Sequence, residues 1–347
     1  MKTLRIAVGR DTVKWHERFV HALETKKSGG YPLDYQVVNL EKHDWIDQIK
    51  AYDLILWKPF NIGPRSSGFI KEKIYFAENY LGKIVMPNYS TIWHFESKIA
   101  QSYIFKEFGV PSPYTAVSFD VDDSKEQAEK IGLPLVFKRS YGASSKNVRL
   151  IRKKKAIKLL LEREYFQIFW DSVKKTHTKK IMRILSSLFK RWFWFKIKQK
   201  IFNEEQFGYT YFQRFVPGNN SDLRITVIGD RFAYGFWRNN RRNDFRASGS
   251  GNLDFKRPIP EEVIHFCMKL NGRLNFDSMA YDILFDGKDF VISEMSYGYI
   301  DFVPNDSARY YILDGDGLIQ RDQKIWPQEL WVEWALHKVE KKYSESK

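Results

Sequence analysis

The chain has 347 residues, 43% hydrophobic and 16% aromatic, with 57 Lys or Arg against 42 Asp or Glu for a net charge of +15. That length accommodates two or three domains with a sizeable core, and the composition excludes a disordered chain. A single cysteine, Cys267, excludes a disulfide framework and a cysteine-ligated metal cluster and suits a reducing compartment.

The apolar run after Lys2 and Arg5 is too short for a signal peptide, and no stretch approaches the roughly 20 apolar residues of a membrane span. A cytoplasmic location is therefore expected. The seven histidines show no zinc-type spacing. The charge is unevenly placed. Residues 174–203 hold ten Lys or Arg and no acid, so the rest of the chain carries 47 against 42, or only +5.

From the start, "LRIAVG", "YQVVNL" and "DLILW" predict buried strands, with helices over Thr12 to Lys26 and Asp44 to Lys50 between them. After "IGPRSSGF" a helix to about Tyr80 leads into the strand "KIVMP". This is an open α/β domain over 1–92. No G-x-G-x-x-G follows the first strand, so dinucleotide binding is not indicated.

"STIWHFESKIAQSYIFKEFGVPSP" predicts a helix capped by Ser90 or Thr91 and stopped between Gly109 and Pro113. A helix over Asp123 to Ile131, the strand "LPLVFKRS", the turn "YGASSKN" and the strand "VRLI" follow. Next come a helical stretch from Lys153 to Trp170, the basic segment, and sheet from "YTYFQRFVPG" to "GFWRNN". The Arg-rich loop "RRNDFRASGSGNLDF", a helix over Glu261 to Leu274 and the hairpin "YDILFDGKDFVISEMSYGY" complete the pattern, and residues 328–343 predict a last helix.

The hairpin carries Asp282 and Glu294 twelve residues apart, with Ser296 two further on. An odd-length loop centred on Gly287 pairs residues whose numbers sum to 574, which puts Asp282, Glu294 and Ser296 on one face. A two-residue Asp-Gly turn puts the two carboxylates on opposite faces. On one face they repel and call for a cation, and magnesium suits a site with few carboxylates. The alternative is the solvated polar face of an edge hairpin.

Other charged residues sit at strand ends. Lys138 closes "LPLVFK" before a Gly/Ser loop containing Ser144, whose backbone and small side chains suit phosphates; Lys98 lies forty residues earlier. Gln213 to Val216 form an extended segment, followed by Asp222 and Arg224. Arg238, Arg241, Arg242 and Arg246 crowd the next strand end. Each alone also reads as a residue reaching water.

In this order they resemble the ATP-grasp superfamily, within it the branch of RimK-like carboxylate–amine ligases, over residues 93 to about 300. The resemblance implies an α/β (α+β) ATP-grasp fold preceded by an open α/β domain. It also implies ATP and Mg2+ as cofactors and two lobes within 93–310, with a hinge near 213–216 and a helical extension over 311–347. Lys98, Lys138 and Ser144 are then expected at ATP phosphates. The backbone of Gln213, Arg214, Phe215 and Val216 is expected at adenine, and Asp222 near ribose or acceptor. Arg238 is expected at the transferred phosphoryl group with Arg241 close by, and Asp282, Glu294 and Ser296 at magnesium. Two positions depart from the pattern: Ser296 stands where Asn is usual and Arg214 where Glu is usual.

Within the basic segment, Ile181, Leu185, Leu188, Trp192, Phe195 and Phe202 share one helical face, with Arg183 and Lys190 opposite. An interfacial helix on an anionic membrane, a helix packed on its own domain and a nucleic-acid strip are the three readings. The large apolar side argues against nucleic acid. The function these features imply is amide formation through an acyl phosphate on small-molecule or glycan substrates, with a membrane-linked surface-polysaccharide or envelope precursor as acceptor. A protein or peptide terminus is the alternative acceptor, and a non-catalytic nucleotide-binding membrane adaptor is the alternative class. The sequence leaves the oligomeric state open.

Overall fold

A computed structural model describes residues 3–59, 64–142, 147–176, 208–287 and 289–345. The chain forms two compact units, Met1–Glu96 with Gly218–Lys347, and Ser97–Pro217. The basic segment from 177 to 203 and Ser144 lie outside the described residues.

The first unit begins with β1 (Leu4–Gly9), α1 (Trp15–Ser28), β2 (Leu33–Val38), α2 (Trp45–Ile49), β3 (Leu54–Leu56), α3 (Pro64–Asn79) and β4 (Ile84–Met86). The strands form a parallel sheet in the order β2-β1-β3-β4. Ile6–Val8 of β1 and Leu54–Leu56 of β3 are apolar and buried, as central parallel strands covered on both faces require. A short helix α4 (Tyr89–Ile92) follows, capped by Asn88, whose Oδ1 accepts from the Thr91 amide.

Ser97 caps α5 (Lys98–Glu107), the first helix of the second unit. The stretch from Ser90 to Glu107 is thus two helices, and neither Ser90 nor Thr91 is the cap. Unit two continues with β5 (Thr115–Ser118), α6 (Val121–Ile131), β6 (Leu135–Lys138), β7 (Val148–Ile151), α7 (Lys154–Thr176) and β8 (Thr210–Arg214). Its antiparallel sheet runs β5-β8-β6-β7. Leu135, Phe137, Leu160, Leu161 and Phe212 pack its core.

The rest of unit one comprises β9 (Ser221–Ile228), β10 (Phe232–Asn239), β11 (Leu253–Asp254), α8 (Glu261–Arg273), β12 (Ser278–Asp286), β13 (Asp289–Ser296), α9 (Phe302–Asp306), β14 (Tyr310–Asp314), β15 (Gly317–Arg321) and α10 (Pro327–Glu345). These strands form one sheet in the order β13-β12-β9-β10-β14-β15, with β11 on β10. The stretch expected as a helical extension therefore contributes two sheet strands before its helix.

Strand parity divides β9. Its odd residues Leu223, Ile225 and Val227 are buried on the face opposite Asp222 and Arg224. At the far end of the even face, Ile228 joins Phe232, Trp331 and Leu336 in a core shared with Trp15, Phe19 and the parallel sheet. Asp277 ties this region together. Its carboxylate accepts from the Asn88 amide at 2.7 Å, Trp334 Nε1 at 3.1 Å and Lys338 Nζ at 2.7 Å.

One cation lies inside this core. Lys58, just after β3, is buried with its Nζ 4.5–5.6 Å from the ring centroids of Trp15, Tyr297, Tyr299 and Trp331, and it donates to the Tyr297 carbonyl at 2.5 Å. Burial lowers its pKa to about 7, against the pull of Asp301 and Asp11. Unfolded, the amine keeps its proton to its ordinary pKa of 10.5, so between about 7 and 10.5 the unfolded chain binds more protons and stability rises with pH. Below that window the full cost of burying the charge is present.

Lys58→Met should therefore raise the urea midpoint at pH 6 by roughly 1–3 kcal/mol of stability, the rings offsetting part of the charge cost. The gain should shrink as pH rises through the window. A gain independent of pH would show that charge is not the cause.

Candidate active site

Four strands set one row of charge across the large sheet. Glu294 on β13 lies opposite Asp282 on β12, and Asp282 opposite Arg224 on β9. Two residues along the same face of β9, Asp222 lies opposite Arg238 on β10. Arg224 grips Asp282 through both ends, Nε to Oδ1 at 2.7 Å and Nη2 to Oδ2 at 2.9 Å. Arg238 grips Asp222 likewise, with both contacts at 2.6 Å, and places Nη2 2.8 Å from Asp282 Oδ2. Forked pairs of this kind fix side-chain planes as well as charge.

The four groups are neutral in sum, and three of them, Asp222, Arg238 and Asp282, are buried. Burial alone pushes the Asp282 carboxyl up, but Arg224 and Arg238 outweigh it and hold the pKa below the ordinary value. Asp222 has one close guanidinium instead of two, and burial wins there, raising its pKa. Burial opposes the charge on Arg238, yet Asp282 and Asp222 prevail and keep it protonated. Its Nη1 takes no part in these pairs.

The sequence pairing that summed to 574 is corrected. Asp286 pairs with Asp289 across a two-residue connection, and Gly287 has φ 71°. By parity alone this turn separates the two carboxylates. A bulge between Asp282 and Ile283 then admits Ser293 as an extra residue on β13, and beyond it Asp282 meets Glu294 directly and Ala280 meets Ser296. The Ser293 hydroxyl donates to the Asp282 carbonyl at 3.1 Å. The shared face predicted for the carboxylates is present, and the bulge produces it. Ser296 Oγ accepts from the Gly298 amide at 3.1 Å.

In the second unit, Lys98 and Lys138 are both buried and both lie at the loop after β6. Lys98 Nζ donates to the Gly142 carbonyl at 3.2 Å, and its amide donates to the Ser140 carbonyl at 3.1 Å, tying the start of α5 to that loop. Gly142 has φ 133°, which side chains rarely adopt. Gln213 pairs with Thr115 and Val136, and β8 ends at Arg214, so the backbone of Phe215 and Val216 leaves the sheet. Arg241 Nη2 donates to the Ser248 carbonyl at 2.6 Å, and Arg246 pairs with Asp244.

The sequence reading gave Arg224 no role. The signal was present, since "SDLR" puts an acid and a base two apart on a strand. Its partner depends on β12 pairing with β9, which local sequence does not disclose. Lys58 directly follows "DLILW", and its burial among aromatic rings likewise is not disclosed by local sequence.

No family model matches the chain. Among curated proteins, the alpha-aminoadipate–LysW ligase LysX of Saccharolobus solfataricus is 24% identical over 277 residues, covering 77% of this chain and 85% of that protein. The ATP-grasp ligase PsnB, solved with a minimal precursor, matches with a TM-score of 0.55 over 98% of this chain and 100% of that one at 12% identity. The chain has the ATP-grasp fold. The D-alanine–D-alanine ligase of Bacillus anthracis with ATP matches this chain with a TM-score of 0.50 over 85% and 86% at 12% identity. D-cycloserine synthetase DcsG gives 0.52 over 84% and 91% at 12%.

The residues present fit the Mg·ATP that the ATP-grasp fold implies. Asp282, Glu294 and Ser296 offer hard oxygen donors of the kind magnesium takes, with few enough protein ligands to leave places for water and phosphate. Lys98 and Lys138 supply cations beside a Gly/Ser loop suited to phosphates.

The forked pairs carry a stability test. Arg238→Met leaves Asp222 wholly and Asp282 partly uncompensated in a buried setting and should cost about 3–5 kcal/mol in urea unfolding. Asp222→Asn with Arg238→Met should recover part of that loss. Independent, additive losses would show that the two side chains do not act as a pair.

Proposed function

We propose that this chain is a magnesium- and ATP-dependent carboxylate–amine ligase that forms an amide through an acyl phosphate. What carries the reading is the face-to-face placement of Asp282 and Glu294, with Ser296 two residues beyond, inside an ATP-grasp fold. When bound, Mg·ATP supplies the γ-phosphoryl group that a substrate carboxylate takes, ADP leaves, and an amine then displaces phosphate from the acyl carbon, releasing a proton.

In this reading Asp282, Glu294 and Ser296 hold the metal, Lys98 and Lys138 neutralise phosphates, and Ser144 hydrogen-bonds to them. Gln213 to Val216 provide the adenine edge. Arg238, aimed by Asp222, stabilises charge that develops on the transferring group, and Arg241 lies in the adjoining Arg-rich loop. The chain needs no nucleophile of its own, because the substrate carboxylate supplies the attacking oxygen.

The acceptor in this proposal is a carboxylate on a membrane-linked surface-polysaccharide or envelope precursor, and the support is the basic amphipathic pattern over 174–203. No helix among the described residues is long and apolar enough to cross a membrane. A peptide terminus is the second acceptor reading, favoured by PsnB, a ligase solved in complex with a minimal precursor.

Two tests follow from this reading. With ATP, a panel of carboxylates and hydroxylamine in place of amine, the protein should release ADP and yield a hydroxamate. Asp282→Asn and Glu294→Gln should each reduce turnover at least about a hundredfold and weaken Mn2+ binding. Stable phosphate transfer to a hydroxyl without hydroxamate would make the chain a kinase, and no turnover with intact ATP binding would favour the adaptor.

For the basic segment, ten cations near an anionic surface contribute up to about 1 kcal/mol each, screened by salt. The intact protein should float with anionic liposomes more than with neutral ones, and replacement of 174–203 by a Gly/Ser linker should abolish flotation. Equal flotation of both proteins would remove the membrane reading.

A further inference from the structure

At the carboxyl edge of the parallel sheet, the connections out of β1, β2 and β3 diverge around a cavity of about 630 Å³. Ligands of open α/β sheets bind at such edges, where diverging connections leave a crevice, and this volume is of small-molecule size. No residue assigned above to metal, phosphate or adenine lines it.

Its walls are aromatic and preset. Trp57 lies so close over the end of β1 that a Cβ on Gly9 would stand 2.4 Å from its ring, so only glycine at position 9 permits this ring position. Trp45 and Phe76 meet edge to face across α2 and α3, with centroids 6.0 Å apart.

Two of the lining charges are already committed. Asp11 accepts from the amides of Val13, Trp15 and His16 at the start of α1. Lys73 donates to the Leu40 carbonyl at 2.5 Å with its Nζ 5.1 Å from the Trp45 ring centroid. Glu41, Glu72 and Arg10 are left. Among the described residues none of these three side chains enters an ion pair or hydrogen bond, and together they carry a charge of −1.

Aromatic faces and carboxylates both attract cations, and Lys73, its charge supported by Glu41, already sets an ammonium over one of these faces. We propose that this cavity binds an organic ammonium, a primary amine on an apolar or flat body. Its meaning rests on the ligase reading, in which the occupant is the amine consumed in amide formation. Arg10 at the rim opposes the charge of such a ligand and offers a contact to a second, anionic group on it.

The test is equilibrium binding to the full chain without nucleotide, by tryptophan fluorescence and saturation-transfer NMR. The probes are phenethylamine, the equal-sized 2-phenylethanol and the anion phenylacetate. Phenethylamine should bind saturably, at least about tenfold more tightly than the alcohol, and phenylacetate most weakly. Glu41→Gln and Glu72→Gln should each weaken phenethylamine several-fold, and Arg10→Gln should tighten it. All three positions are exposed, and unfolding midpoints check that the variants are folded.

Equal affinity for the alcohol would reduce the cavity to an apolar one. Preference for phenylacetate, indifference to both Glu→Gln changes, or no saturation with any probe would overturn the proposal. None of these outcomes bears on ADP release, so failure here leaves the ligase reading standing. Failure of ADP release would instead leave the ammonium site without its assigned purpose.

Discussion

Two carboxylates and two guanidinium groups, set on one face of the large sheet, must neutralise one another before that face can be buried. Any one of them alone would cost several kcal/mol in such surroundings. Arg224 and Arg238 lie on neighbouring strands and Asp222 and Asp282 oppose them across the ladders, so backbone pairing brings together charges that side-chain attraction then holds. The same contacts orient Asp282 before any cation arrives. A metal ligand already fixed in plane loses less freedom on binding than one that must be gathered from solvent.

Parity lets one sheet serve both stability and chemistry. Odd residues of β9 from Leu223 to Val227 are apolar, while even residues pass from charge at Asp222 and Arg224 to apolar core at Ile228. The charged end and the core with α10 therefore share one face of a strand, and a shift of one residue would turn both to the opposite face. Asp277, at the entrance to β12, anchors that register by joining the strand to Asn88 and to two residues of α10.

Much of this fold was legible. Long apolar runs marked β1 and β3, helical periodicity marked α1, α8 and α10, and the order of charged residues pointed to the ATP-grasp arrangement. Short elements were less visible. β5 has four residues and no strong alternation, and β14 and β15 are short strands joined by only Gly315 and Asp316. Helix starts went wrong where several capping residues lay close together, since Asn88, Ser90, Thr91 and Ser97 are chemically similar and only backbone geometry separates them. Within the site, Asp282, Glu294 and Arg238 could be named from order along the chain. Their partners could not, because a cross-strand neighbour depends on sheet order, which couples positions up to 58 residues apart.

The bulge beside Asp282 makes one backbone position act as a phase shifter for the end of β13. Side-chain chemistry at Ser293 matters little to this effect; what counts is that a residue is there at all. Deleting it would leave the composition of the site almost unchanged while turning Glu294 and Ser296 to the other side of the sheet. A lineage drifting in hairpin length could therefore lose or regain a metal face through a single codon gained or lost. Comparisons that align such hairpins by their turns, without allowing for the extra residue, would match the wrong side chains.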